Sequence, residues 1–84
     1  ITMTVPDSPS LMRRLAAEPG LLVGAGTVPD VEAARACLDA GARFIVTPWV
    51  DPAVIAETRR AGALPLPGTM TPTEIRAALA AGAA

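Results

Sequence analysis

Four short clusters join hydroxyl-bearing residues to turn formers: Thr2 with Thr4, Gly24-Ala25-Gly26-Thr27, Thr47-Pro48-Trp49 and Pro67-Gly68-Thr69. A rim of threonine hydroxyls and free backbone amides can bind a carboxylate, a carbonyl or a phosphate oxygen. It moves protons poorly near neutral pH, because threonine is neither acid nor base there. The remaining inventory is narrow. The 84 residues contain no histidine or tyrosine, and all seven basic side chains are arginines. The ionisable groups are therefore eight carboxylates, seven guanidinium groups and the thiol of Cys37. That excludes a histidine base, a lysine Schiff base and a histidine-containing metal site within these residues. The clusters can bind; the base and the nucleophile are missing.

Two phosphate-binding motifs also fail. In Gly24-Ala25-Gly26 the third glycine of a dinucleotide fingerprint would fall at Pro29, and a P-loop needs a lysine. Two glycines here let backbone amides approach a small ligand closely.

The elements that must position these clusters follow from a repeat of about 21 residues. Gly20, Gly41, Gly62 and Gly82 each end an alanine-rich charged stretch. The first three precede apolar runs that close on turns at Thr27, Thr47 and Thr69. The charged stretches read as helices. Ser8-Pro9, Asp51-Pro52 and Thr71-Pro72 each offer an N-cap followed by proline at the first helical position. Thr71 and Glu74 have the spacing of a capping box. Each glycine suits the left-handed residue beyond a helix end. The apolar runs are continuous, as parallel strands buried on both faces require. Strands are expected at Ile1–Thr4, Leu21–Gly24, Phe44–Thr47 and Leu64–Leu66, with Ala83-Ala84 leading into a fifth. Strand–helix alternation at this short, even spacing predicts an α/β fold, a parallel (β/α) barrel of the TIM type of which about four consecutive units are present. In such barrels the C-terminal strand ends carry the site, which is where the four clusters fall.

Other charged residues have structural readings. Asp30 and Asp51 precede helical runs as N-caps. Glu32, Asp39 and Glu57 are expected on solvated helix faces. Arg43 precedes a strand at the end opposite the clusters. Cys37, beside Leu38 and three residues after Ala34, reads as a buried structural thiol. Trp49 stands at a strand end, and spacing allows it either to line the mouth or to cover the rim.

Composition agrees with one small domain or a piece of a larger one. With 51% hydrophobic residues, 18% charged residues and net charge −1, neither a disordered segment nor a nucleic-acid partner is expected. A single cysteine cannot form an internal disulfide and fits a reducing cytoplasm. The charge-free stretches Pro19–Pro29 and Ala61–Thr73 are too short and too rich in Gly and Pro to span a bilayer, and no signal peptide is visible. A first residue other than Met, and a last one amid domain-like composition, lead us to expect an internal fragment of one domain.

Leu22-Val23-Gly24-Ala25-Gly26-Thr27-Val28, Ala40-Gly41-Ala42-Arg43-Phe44-Ile45-Val46-Thr47-Pro48 and Pro65-Leu66-Pro67-Gly68 resemble the bacterial KDPG/KHG aldolases in order and spacing, as does Thr71-Pro72-Thr73-Glu74-Ile75. These are 2-dehydro-3-deoxy-phosphogluconate and 4-hydroxy-2-oxoglutarate aldolases. The resemblance implies a cytoplasmic class I lyase on a (β/α)8 barrel, commonly trimeric, with no metal or organic cofactor. A lysine would form a Schiff base with the pyruvyl carbonyl of a keto-acid substrate, and a glutamate would shuttle protons. Residues 1–84 would be the second to fifth β/α units. The glutamate would stand one position before Ile1 and the lysine about three positions past Ala84, so no catalytic residue falls in the chain and the 84 residues alone are expected to be inactive. Among residues present, the resemblance makes Thr27 a ligand of the substrate carboxylate or carbonyl region, helped by the Gly26 and Thr27 amides. Thr47, through its backbone, and Pro48 would lie near the pyruvate site. Thr4 stands where many members have an arginine that grips the carboxylate, and a hydroxyl cannot replace a bidentate guanidinium. Trp49 stands where glycine is frequent. Two other readings remain open: another small sugar-phosphate barrel lyase such as a phosphogalactonate aldolase, and a half-barrel that binds a metabolite without turnover.

Overall fold

A computed structural model describes residues 1–83 of the chain. Helices α1 (Ser8–Ala16), α2 (Val31–Asp39), α3 (Pro52–Arg60) and α4 (Pro72–Ala81) alternate with strands β1 (Gly24–Ala25), β2 (Phe44–Thr47) and β3 (Leu64–Pro67). The strands form one parallel sheet in chain order. Gly24 lies opposite Phe44 and Phe44 opposite Leu64, and the β2–β3 ladder runs on to Thr47 opposite Pro67. The expected α/β alternation is therefore present. The described residues make an open sheet, not a closed barrel.

Helix starts follow local chemistry. Asp30 accepts the Ala33 amide, Asp51 accepts those of Ala53 and Val54, and Thr71 and Glu74 complete the capping box. Gly41, Gly62 and Gly82 end their helices with φ near +106°, +79° and +107°. The first helix departs from expectation. Its cap is Asp7, at φ 55° and without a side-chain cap bond. Ser8 is instead 2% exposed and gives its hydroxyl to the Met3 sulfur.

Two strands also depart. The segment expected as a strand over Ile1–Thr4 pairs with the sheet through a single bridge, Thr2 opposite Gly26. The strand expected over Leu21–Gly24 is displaced to Gly24–Ala25. Leu21 and Leu22 stay exposed after the left-handed turn at Gly20. Pairing with β2 begins only where the Arg43 amide reaches the Val23 carbonyl at 2.8 Å. The lead expected at Ala83-Ala84 reaches Ala84, outside the described residues.

The sheet has two unlike faces. Strand alternation turns Val23, Ala25, Ile45 and Pro65 toward the helices, and all four are buried. There they meet Met12 of α1, Ala34 and Cys37 of α2 and Val54 of α3. Each large side chain so buried contributes roughly 1.5–3 kcal/mol. The opposite face carries Phe44 and Val46, half-buried, with Leu64 and Leu66 exposed.

Candidate functional site

The C-terminal end of β1 is held from both sides. The Gly26 amide donates to the Ile1 carbonyl at 2.7 Å, and the Met3 amide donates to the Gly26 carbonyl at 2.9 Å. Two residues on, the Val28 amide turns to the opposite neighbour and donates to the Val46 carbonyl at 3.2 Å. One residue must make that switch, and it is Thr27, at φ 55°. A β-branched residue in the left-handed region is a true outlier, because its Cβ crowds the backbone. Its side chain is exposed. Val28 beyond it is fully buried, which anchors the turn.

Thr2 and Thr4 stand beside this turn. Bridge partners in parallel strands share a face, so Thr2 lies on the face of Gly26, away from the helices. A Cβ placed on Gly26 would sit 3.5 Å from the Thr2 methyl carbon, in agreement. The Thr2 and Thr4 hydroxyl oxygens are 2.6 Å apart, and both side chains are exposed. Thr2 and Thr4 thus pair beside Gly26 on the open face, and Thr27 is the next residue in the chain after Gly26.

The end of β2 is built differently. Thr47 is buried, and its hydroxyl donates to the Trp49 carbonyl at 2.6 Å. Its own carbonyl accepts the Gly68 amide at 2.7 Å. Gly68 must be glycine, because a Cβ there would lie 2.7 Å from the Pro48 carbonyl oxygen. Pro48 and Trp49 are exposed at the rim.

Two expectations change at this point. The Gly26 amide is spent on Ile1, so Gly26 offers a ligand no amide and serves by close strand approach. The Thr47 hydroxyl and carbonyl are both satisfied inside the loop, so Thr47 shapes the β2 end without presenting a free polar group. Both losses come from backbone pairing between neighbouring segments, which spacing along the chain does not reveal. Glu57 also departs from its expected solvated place. It pairs with Arg60 one helical turn away and with Arg35 Nε of α2 at 3.2 Å. Those guanidinium groups, Arg60 first, hold its carboxyl below the usual range.

Sequence reasoning missed the sulfur contacts that hold the Thr2–Thr4 segment. The Cys37 thiol lies 3.2 Å and the Ser8 hydroxyl 3.4 Å from the Met3 sulfur, both placed to donate to it. Alternation of Thr2, Met3 and Thr4 was the available signal, since it sends both hydroxyls to one face and the sulfur to the other. Cys37 is the buried thiol expected, and burial pushes its pKa up.

Two cavities lie elsewhere. One of about 150 Å³, between β3 and α4, is lined by Leu66, Pro67, Thr69, Ile75 and Leu79 among others. The second, about 390 Å³, lies by the N-terminal ends of β2 and β3 and holds Arg43 and Arg59. Neither contains Thr27 or Thr4. No cluster of three or more His, Cys, Asp or Glu among the described residues could hold a metal ion, and no helix there is long and apolar enough to cross a membrane.

Comparison with known proteins agrees with this architecture. The family model for KDPG and KHG aldolase matches residues 1–84. A probable 2-dehydro-3-deoxy-6-phosphogalactonate aldolase of Rhizobium meliloti (strain 1021) is 47% identical over 64 residues, covering 76% of this chain and 30% of that protein. The 2-dehydro-3-deoxy-phosphogluconate aldolase of Treponema pallidum (strain Nichols) is 37% identical over 81 residues, covering 96% of this chain and 38% of its own length. Among solved structures, a KDPG aldolase from Legionella pneumophila, with pyruvate captured at low pH as a covalent carbinolamine intermediate, superposes with a TM-score of 0.86. It is 25% identical and covers 98% of this chain and 40% of that one. The chain thus spans between 30% and 40% of the length of these relatives. With a family model matched from end to end and the strand–helix order its motifs require, the chain belongs to the KDPG and KHG aldolase family.

Proposed function

We propose that residues 1–84 are the second to fifth β/α units of a (β/α)8-barrel class I aldolase. The whole enzyme would release pyruvate from 2-dehydro-3-deoxy-6-phosphogluconate, leaving glyceraldehyde 3-phosphate, or from 4-hydroxy-2-oxoglutarate, leaving glyoxylate. The observation that supports this reading is the end of β1, where the Thr2–Thr4 hydroxyl pair stands beside Gly26 and the exposed Thr27 follows it in a left-handed turn. Thr27 keeps a left-handed backbone that costs about 1–2 kcal/mol, and such strain gathers at ligand sites. Its exposed hydroxyl, its amide and the Thr2–Thr4 pair offer neutral hydrogen bonds to the keto-acid end of a substrate. Pro48 and the Thr47 loop border the same mouth.

The resemblance to the family would put the nucleophilic lysine about three positions past Ala84 and the proton-shuttling glutamate just before Ile1. The lysine amine would add to the keto carbonyl, giving a carbinolamine that loses water to an imine. The protonated imine would accept the electrons of the breaking carbon–carbon bond. The relative captured with covalent pyruvate supports this order of events. The intact enzyme would be a cytoplasmic homotrimer.

A phosphogalactonate substrate is a second reading, favoured by the 47% identity to the Rhizobium meliloti protein. Both readings are tested by determining the coding sequence on either side of this segment and trapping the intact enzyme with pyruvate and borohydride. A glutamate codon before Ile1, and a lysine codon after Ala84 that yields the trapped adduct, are expected. Absence of an adduct would overturn the aldolase reading. Relative kcat/KM for the two phosphorylated sugar acids then separates the substrates.

A further inference from the structure

We propose that Met3 is a positioning residue for the Thr2–Thr4 hydroxyl pair, and that its sulfur sets where those hydroxyls meet the keto acid. The inference rests on the aldolase reading of the β1 end and adds a residue on the opposite face of the same segment.

The geometry begins with where the backbone pairing of the segment stops. Residues 1–3 pair with β1 about the Thr2–Gly26 bridge through three backbone bonds, Ile1 nitrogen to the Gly24 carbonyl at 2.9 Å, Gly26 amide to Ile1 at 2.7 Å and Met3 amide to Gly26 at 2.9 Å. Thr4 has no backbone partner in the sheet among the described residues; the turn there closes through the Val5 amide and the Thr2 carbonyl at 3.2 Å. The side-chain anchor of the segment is Met3, packed against the buried core. Its sulfur faces two donors from two helices, Ser8 at the start of α1 and Cys37 in α2, at 3.4 and 3.2 Å.

Both donors are buried, Cys37 completely and Ser8 to 2% exposure. Each meets the Met3 sulfur, and no buried side-chain oxygen or nitrogen among the described residues lacks a partner. A buried hydroxyl left without a partner is costly, so these donors hold the sulfur in place. Thioethers are weak acceptors with a flexible stem; two donors converging on one sulfur select one rotamer of an otherwise adaptable side chain. Strand alternation transmits that choice. With Met3 fixed toward the helices, Thr2 and Thr4 point to the other face, where their oxygens meet at 2.6 Å.

The test uses the intact enzyme with Met3→Leu, Thr4→Val and the double variant. Leucine nearly conserves volume and removes the acceptor. Loss of one well-placed hydrogen bond changes affinity about two- to tenfold. We expect Met3→Leu to raise KM for the keto-acid substrate by that factor with kcat within about twofold. In the Thr4→Val background it should add nothing further. Ser8→Ala, which removes one donor and leaves the sulfur, should give a smaller KM change in the same direction. Multiplying effects of Met3→Leu and Thr4→Val, or a lowered melting temperature with KM unchanged, would overturn the positioning role. Wild-type enzyme that traps pyruvate while Met3→Leu behaves like wild type would sink this inference alone. Wild-type enzyme that traps no pyruvate would sink the aldolase reading and this inference with it.

Discussion

The Phe44 ring lies across Gly24, its strand partner, so closely that no side chain fits between them. The contact lies on the sheet face turned away from the helices, and the ring is half-buried. Gly24→Ala should therefore displace the ring and loosen the β1–β2 pairing. Overpacking of this kind typically costs about 1–3 kcal/mol. A urea unfolding series should show a lower midpoint with an unchanged slope. Substitution of Phe44 by Leu in the same background should restore part of the loss.

Thr27 predicts a divergence between stability and binding. Thr27→Gly removes the crowding of a left-handed β-branched residue, offset in part by the greater backbone freedom of glycine when unfolded. Stability should hold or rise by up to about 1 kcal/mol. Keto-acid affinity in the intact enzyme should fall, because the hydroxyl is gone. Unfolding midpoint and KM, measured on one preparation, check both halves.

Acid should act on two carboxylates. Glu74 accepts the Met70 and Thr71 amides at 2.9 Å each, and these bonds, with the Thr71 hydroxyl, lower its pKa from 4.5. Glu57 is lowered by Arg60 and Arg35. A carboxyl whose folded pKa is depressed adds stability above its unfolded pKa and loses it as pH falls through the folded value. Melting temperature should thus drop on acidification below about pH 4.5, and Glu74→Gln should flatten that slope while lowering the plateau near neutrality.

Cys37 should be slow to react. It is fully buried, and burial raises its thiol pKa above 9.0, so little thiolate is present near neutrality. Iodoacetamide should label it much more slowly in the folded chain than in urea, at pH 8. Equal rates would contradict the buried environment.

Much of this architecture is legible along the chain because its cues are local. Asp30, Asp51 and the Thr71–Glu74 pair cap helices through atoms within three residues, and β2 spans Phe44–Thr47 as expected. Other features depend on what lies across the fold. Ser8 has the type and the following proline of an N-cap, yet a sulfur five residues earlier claims its hydroxyl. Glu57 reads as solvated until α2 brings Arg35 beside it. The candidate site was half legible: Thr4 and Thr27 were marked by position, but the pairing of the Gly26 amide with Ile1 requires knowing which segment lies next to β1.

The even register of the sheet also bears on how the chain acquires it. Gly24 faces Phe44 and Phe44 faces Leu64, each pair 20 residues apart, so every strand pairs with the one made just before it. Loops of that size close cheaply, and a topology of nearest-neighbour pairings has low contact order for a parallel sheet. Each new strand and its helix can dock on a wall already standing as the chain leaves the ribosome. Within these residues, each unit can add to the one before it without a contact from farther along the chain.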